Sequence, residues 1–299
     1  MEEKTRVRRG IAMTLLGGML WGLNGTVSGY LMGAYDVDPL WFACVRELLS
    51  CWLFLIPAWA ASRSSLHEVV SSPKNLLWIF CVSLSAILSS QVAYMKAIYW
   101  TNPATATVIQ SLGMLFVLAY VCIAARRPPR KREVLGIVCA LAGTYLIATG
   151  GRSGQLALPA SGVVWGVLLA VSYACLSALP KRAIERFGNF TVNGLAFLMS
   201  GLSLVPFARP WEHMPDFDLA GAALFSFCIV LGTFGSYALF LQGAKDAGPV
   251  RASLLGTIEP VTATVATVLW LKTSLSGADL LGFALILAMV ILTSHVNEN

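Results

Sequence analysis

Three ionisable residues, Arg46, Glu47 and Glu259, stand inside long apolar stretches, where a charge is costly and therefore informative. Glu259 lies about nine residues into an apolar run that opens at Pro249, some 13 Å along a helix at ~1.5 Å per residue. A carboxyl near mid-bilayer could exchange a proton or cation or bind a substrate amine. It could equally stay protonated and hydrogen-bond a broken helix. Pro260 beside it lacks a backbone N–H and frees a carbonyl about four residues earlier, which can kink the helix toward a cavity. Arg46 and Glu47 sit about eight residues into an earlier run. Adjacent helical residues point in different directions, so these two do not pair and at least one must face the interior. Arg46 could grip a substrate carboxylate through two hydrogen bonds, or could snorkel or pair structurally with another helix. Lys96 lies near the end of its run and is expected to snorkel.

Around these charges stands an uncharged polar set, Asn24, Gln91, Gln110, Ser111, Thr257 and Gln242, with Tyr173 nearby. Such groups either bond neighbouring helices or line a wet cavity. Trp21, Tyr94 and Tyr237 are deep enough to line a pocket, whereas Tyr99, Trp100 and Trp211 fall at the ends of runs, where an interfacial aromatic belt is expected. The cysteines Cys44, Cys51, Cys81, Cys122, Cys139, Cys175 and Cys228 form neither a CxxC pair nor a Cys/His cluster, and His67, His213 and His295 lie in loops or at the C-terminal end. No phosphate-cradling glycine loop and no clustered His, Asp or Ser set is visible. A metal, a cofactor and enzymatic chemistry are therefore not expected.

The elements that must position these residues follow from composition. With 57% hydrophobic residues, 12% charged and a mean hydropathy of +0.72, the chain belongs in a bilayer. Windows of about 20 apolar residues give ten spans, at about 10–33, 39–61, 76–97, 103–125, 133–150, 159–180, 189–208, 219–242, 249–271 and 277–296. The ten-residue alternation of a β-barrel is absent, so the expectation is an all-α integral membrane protein. The first run is too long and glycine-rich for a signal peptide and is taken as a span. Its glycines, Gly18 and Gly22, then Gly25, Gly29 and Gly33, recur every four residues and offer a groove for a neighbouring backbone.

Basic residues orient the spans. With the N-terminus inside, 16 Lys and Arg fall on the inner side, and three, Arg152, Arg209 and Lys272, fall outside. Both termini are thus expected in the cytoplasm. The net charge of +6 is explained by these loops, so no nucleic-acid partner is expected, although the basic run 126–132 could attract anionic lipid heads. Slid along itself by 146 residues, the chain sets Pro103 on Pro249, Ala106 on Ala252, Leu135 on Leu281, Gly136 on Gly282 and Leu141 on Leu287. Two units are expected, 1–150 and 151–299. Five spans in each force the second to enter the membrane from the opposite face, an inverted repeat suited to exposing a central site to each side in turn.

The run WGLNGTVSGYL (21–31) with Pro39 and Arg46 resembles the opening of an EamA-type repeat of the drug/metabolite transporter superfamily. SYALFLQGAKDAGPVRASLLGTIEPVTATVATVLWL (236–271), followed by GADLLGFALILAMVIL (277–292), is similar to the close of the second repeat. The resemblance implies a ten-helix bundle with a central cavity lined by helices one to four and six to nine. Helices five and ten would be peripheral and available to a homodimer. On that basis Trp21, Asn24, Arg46, Tyr237 and Glu259 fall near the cavity, and Gln91, Tyr94 and Gln110 join them as candidate lining residues. The implied activity is secondary transport of a small-molecule substrate by alternating access. Export of amino acids or related compounds across a bacterial inner (plasma) membrane is the leading case, with proton coupling as an option. A non-transporting membrane sensor or scaffold is the alternative. The pattern departs from the family in one place: an acidic residue is expected just before the last helix of each half, where this chain has the basic run 126–132 and Lys272, Thr273 and Ser274.

Overall fold

The computed structural model describes residues 2–152 and 156–293. His295 and the end of the last expected span lie outside the described residues. All regular structure among the described residues is helical.

Eight helices are long and apolar enough to cross a membrane: α1 (Glu3–Ala34), α2 (Pro39–Ala61), α3 (Pro73–Trp100), α4 (Pro103–Ala124), α5 (Lys131–Thr149), α6 (Ala160–Phe187), α7 (Asn189–Ala208) and α8 (Leu219–Ala247). The ninth apolar stretch is divided into α9a (Pro249–Leu255) and α9b (Ile258–Leu269), and α10 covers Gly277–Thr293. The division follows from Pro260, whose missing N–H leaves the Gly256 carbonyl without its usual partner. The chain tightens there, with Thr257 N donating to Leu254 O (3.2 Å) and Glu259 N to Gly256 O (3.1 Å). Helices α3, α6 and α8 run beyond their expected ends. Lys181, Arg182 and Arg186 consequently sit on a helical continuation of α6 past Pro180, not in a loop.

The helix starts are built from short polar caps followed by proline, whose fixed φ suits the first turn. Asp38 accepts from Leu40 N (2.7 Å) and Trp41 N (3.0 Å) ahead of α2, and Asn102 accepts from Thr105 N (2.9 Å) ahead of α4. At α5, Glu133 accepts from Arg130 N (2.6 Å) and is held from the other side by both terminal nitrogens of Arg127 (2.9 and 3.0 Å). Asp279 does the equivalent at α10, accepting from Ser276 N (2.8 Å). Acidic caps thus stand inside the first turn of both α5 and α10, while the positions just before these helices hold the basic run 126–132 and Lys272, Thr273 and Ser274.

Packing is governed by small residues that let backbones approach. Helix α2 lies antiparallel to α7, with Leu48 against Gly201, Leu55 against Gly194, and the Phe54 and Phe197 rings stacked at 5.5 Å. Helix α1 packs on α8 and α9, and α5 on α10. Gly143 meets α10 so closely that a methyl group there would lie 2.7 Å from the Gly282 carbonyl oxygen. Gly33 was expected to join the α1 groove, but nothing approaches within 4 Å of the place its methyl would take. The outward faces carry Trp52, Ile56, Ile123, Leu141 and Phe207, all exposed, the surface a lipid solvent requires. All seven cysteines are free.

Candidate functional site

Four helices bend where they meet the centre of the bundle. α3 and α8 each contain a π-helical turn, Ser83–Leu88 and Val230–Gly235. In the second, Thr233 Oγ1 donates to Cys228 O (2.8 Å), five residues back. α4 tightens at Ser111 and Leu112, much as α9 does at Gly256 and Thr257. Such interruptions expose side chains and carbonyls that a regular helix keeps in register, and they recur at functional sites. Between them lies a cavity of about 760 Å³, lined by residues of every helix except α5. That volume suits a small organic molecule.

Arg46 enters the cavity from α2. It is almost fully buried, donates from Nη2 to Gln91 Oε1 (2.6 Å) and has its carbon Cζ 5.6 Å from the Phe42 ring centroid, while its Nε has no partner. Glu259 enters from the start of α9b and accepts a long hydrogen bond (3.4 Å) from Nε2 of Gln110, which stands at the α4 break. The two broken helices thus meet through these side chains. Gly22 is what lets α1 reach this point, because a methyl group on it would lie 2.5 Å from Glu259 O.

The remaining expected residues complete the wall. Asn24 packs against Gly232 of the α8 π-turn, and its buried Oδ1 has no partner. Tyr94 shares a hydrogen bond of 3.0 Å with Thr107. Trp21 meets Tyr237 edge-on at 5.1 Å and Phe240 at 4.8 Å. Tyr94 and Tyr237 line the same cavity as Arg46 and Glu259, so the two ionisable groups border one shared space. All eight candidate residues, Trp21, Asn24, Arg46, Gln91, Tyr94, Gln110, Tyr237 and Glu259, border this cavity.

Gln242, from the wider polar set, does not: it donates to Asp246 (3.1 Å), which pairs with Arg9 (2.7 Å) and fastens the first turns of α1 to the end of α8. Glu47 also lies outside the cavity, turned toward α7. Lining residues the sequence reading passed over include Thr107, Asn189 and Asn193. Asn193 donates to Asn189 at 2.6 Å, and the four-residue spacing of these two on an otherwise apolar helix was a usable signal.

Lys181, Glu185 and Ala244 mark the end of the cavity that carries the basic connections, while Asn24, Arg46 and Tyr94 lie deep. Beyond them the opposite end is filled by Val27, Leu31, Trp41, Phe42 and Phe225. There the Tyr35 hydroxyl donates to Asp218 (2.6 Å) and Trp41 Nε1 to Pro210 O (3.0 Å). The Tyr35 hydroxyl, with help from Gly221 N, holds the Asp218 carboxyl below its usual range, and the same bond raises the Tyr35 phenol.

The sequence pattern of the EamA-like transporter family matches residues 8–149 and, a second time, residues 160–295. The chain belongs to the EamA-like transporter family. Among similar proteins, the uncharacterized inner membrane transporter YicL of Salmonella typhimurium is 30% identical over 290 residues, 96% of this chain and 95% of its own. The uncharacterized transporter YwfM of Bacillus subtilis is 25% identical over 284 residues, 94% of this chain and 92% of its own. A crystal structure 19% identical in sequence shares the fold with a TM-score of 0.61, covering 99% of this chain and 96% of that one. The EamA-like chain is thus an integral membrane protein of transporter type, and the cavity is where that family membership and its own chemistry meet.

Proposed function

We propose that the protein is a secondary active transporter of small zwitterionic metabolites, with export of amino acids or related compounds as the leading case. It works by alternating access in a bacterial inner membrane. The observation that carries this reading is the pairing of Arg46 and Glu259 across one cavity, each with spare bonding capacity. Arg46 with Gln91 would hold a carboxylate, and Glu259 with Gln110 would hold an ammonium group or, in its absence, a proton. Trp21, Tyr94 and Tyr237 would clasp the apolar part of the substrate. Competition between amine and proton at Glu259 provides proton antiport, the exchange an exporter needs.

The topology belongs to the same proposal. Ten spans form two inverted five-helix units, 1–150 and 151–299, with both termini cytoplasmic. The cavity mouth at Lys181 and Glu185 then faces the cytoplasm, and the Tyr35–Asp218 and Trp41–Pro210 contacts close the outer side. The small residues of α5 and α10 are spent on each other inside one chain, which leaves Leu135, Leu141, Leu280 and Leu281 as the apolar face for a homodimer.

The test is a thermal-stability screen of purified protein against amino acids, amines and carboxylic acids, followed by flux in proteoliposomes. Stabilisation by compounds bearing both charges, with flux driven by a pH gradient in wild type and uncoupled from it in Glu259→Gln, is the expected result. Coupled transport unaltered by that substitution removes Glu259 from the mechanism.

A further inference from the structure

Glu47 is one residue beyond Arg46 and therefore rotated by about a quarter-turn around α2. While Arg46 faces the cavity, Glu47 enters the seam between α2 and α7. It is fully buried, and neither carboxyl oxygen has a hydrogen-bond partner. The Ser200 hydroxyl of α7 lies beside it, and Ser50 shares its face of α2. Both serines are fully buried, and both hydroxyls are unpartnered.

Thr191 and Thr267 also leave buried hydroxyls unpartnered. A serine or threonine inside a helix ordinarily donates to the carbonyl one turn back. Thr14, Ser28, Ser172 and Ser236 all do so, at 2.7–2.9 Å. Ser50 and Ser200 withhold their hydroxyls from the backbone and leave them in the seam with the carboxyl. The charged and titratable groups that act on Glu47 or feel it are Arg46, Cys44 and Cys51 on its own helix and Tyr237 from α8. α7 contributes none.

An ionised carboxylate sealed from water needs several donors aimed at it, and here the neighbouring donor is a serine hydroxyl, that of Ser200. A neutral carboxylic acid needs only one acceptor and one donor, which two serine hydroxyls supply by rotating. We infer that Glu47 is a proton-binding site separate from the cavity, occupied while α2 and α7 are closed on each other and exchanging its proton with water when they part. Arg46 gives it a link to the cavity. The guanidinium stays charged, and its positive field favours the ionised form of Glu47. The exchange step rests on the alternating-access reading above, whereas occupancy of the site does not.

Infrared difference spectroscopy of the full chain in lipid at neutral pH tests occupancy directly. The wild type should show a C=O band of a dehydrated carboxylic acid, part of which disappears in Glu47→Gln, is retained at shifted frequency in Glu47→Asp, and survives in Glu259→Gln. A band unchanged by both Glu47 variants overturns the inference. So does a thermal stability that rises with Na+ over choline at fixed pH in wild type but not in Glu47→Gln, because the seam would then hold an alkali cation. Failure of transport alone would leave the band in place and count only against the function proposed above.

Discussion

Replacing Arg46 by Lys keeps a positive charge in the cavity but removes the planar fork of donors, and its effect can be worked out from the structure. In the wild type, Nη2 is engaged by Gln91 and Nε has no partner. Nε is sealed, so a substrate carboxylate would bond along the edge of the two terminal nitrogens, through Nη1 and the second hydrogen of Nη2. The lysine ammonium can satisfy Gln91 and present one donor to a carboxylate, so one charge-assisted hydrogen bond is lost. Such a bond contributes about 1.5–3 kcal/mol. At ~1.4 kcal/mol per decade, the dissociation constant of a carboxylate-bearing ligand should rise about 10- to 100-fold. The matched primary amide binds the arginine without the anionic contribution and should lose about threefold or less. Calorimetric titration of wild type and Arg46→Lys with both members of the pair measures this directly. Equal losses for acid and amide, or none for either, would make Arg46 a structural cation and refute the assignment.

Other perturbations have outcomes set by particular contacts. Gly22→Val drives a branched side chain into the α9 backbone at Glu259 and Ala263 and should lower stability by about 1–3 kcal/mol; Gly33→Ala, which meets nothing, should match or slightly exceed wild type, and thermal unfolding in detergent compares the two. Glu133→Gln deprives Arg127 of a bidentate partner whose side chain is 1% exposed and should cost about 2 kcal/mol. Arg209→Gln removes a 3.4 Å pair that is 61% and 43% exposed and should stay within about 0.5 kcal/mol in the same assay. Asp218 is depressed by Tyr35 and Gly221, so its contribution is present above the ordinary Asp value of ~4 and is lost as pH falls through its lower folded value. The melting-temperature gap between wild type and Asp218→Asn should accordingly close between about pH 5 and pH 2; a gap constant over that range would show that Asp218 acts only as a helix cap.

Much of the helical architecture was legible because the bilayer makes apolar length almost a sufficient descriptor. Eight of the ten expected windows fall on helices long enough to span, Pro260 marked the place where the ninth divides, and the described part of the tenth is a shorter helix. The cavity residues could be chosen because polar side chains in such stretches have few bland explanations. What could not be read was direction. Arg46 and Glu47 are adjacent and equally anomalous in sequence, yet one borders the cavity and the other a dry seam, a difference of one helical step that only α3 and α7 decide. The π-turns were equally hidden, since nothing in SLSAIL or VLGTFG departs from ordinary helix composition. The caps at Glu133 and Asp279 are a separate feature, since a cap acts from inside the first turn and the expected acid lay ahead of it.

The interruptions and the charges are distributed differently along the chain. π-turns occur in both α3 and α8, tightened turns in both α4 and α9, and acidic caps at the starts of both α5 and α10. Arg46 and Glu259 have no such counterparts: the matching positions in the other half are Leu195 and Gly113. Leu195 packs among Phe54 and Phe197, and Gly113 lies against the backbone of α6 at Ala170. Each missing charge is thus replaced by a close helix contact. If helices are to move about a common centre, paired distortions give both halves the same compliance, while unpaired charges give the cavity a fixed polarity along which a zwitterion can bind in one orientation. Moving a charge to its mirror position would therefore do more than duplicate a binding group. Leu195→Arg would place a guanidinium in the α2–α7 aromatic contact opposite Phe54, about two turns along α2 from Glu47, where helix packing, not substrate affinity, should change first.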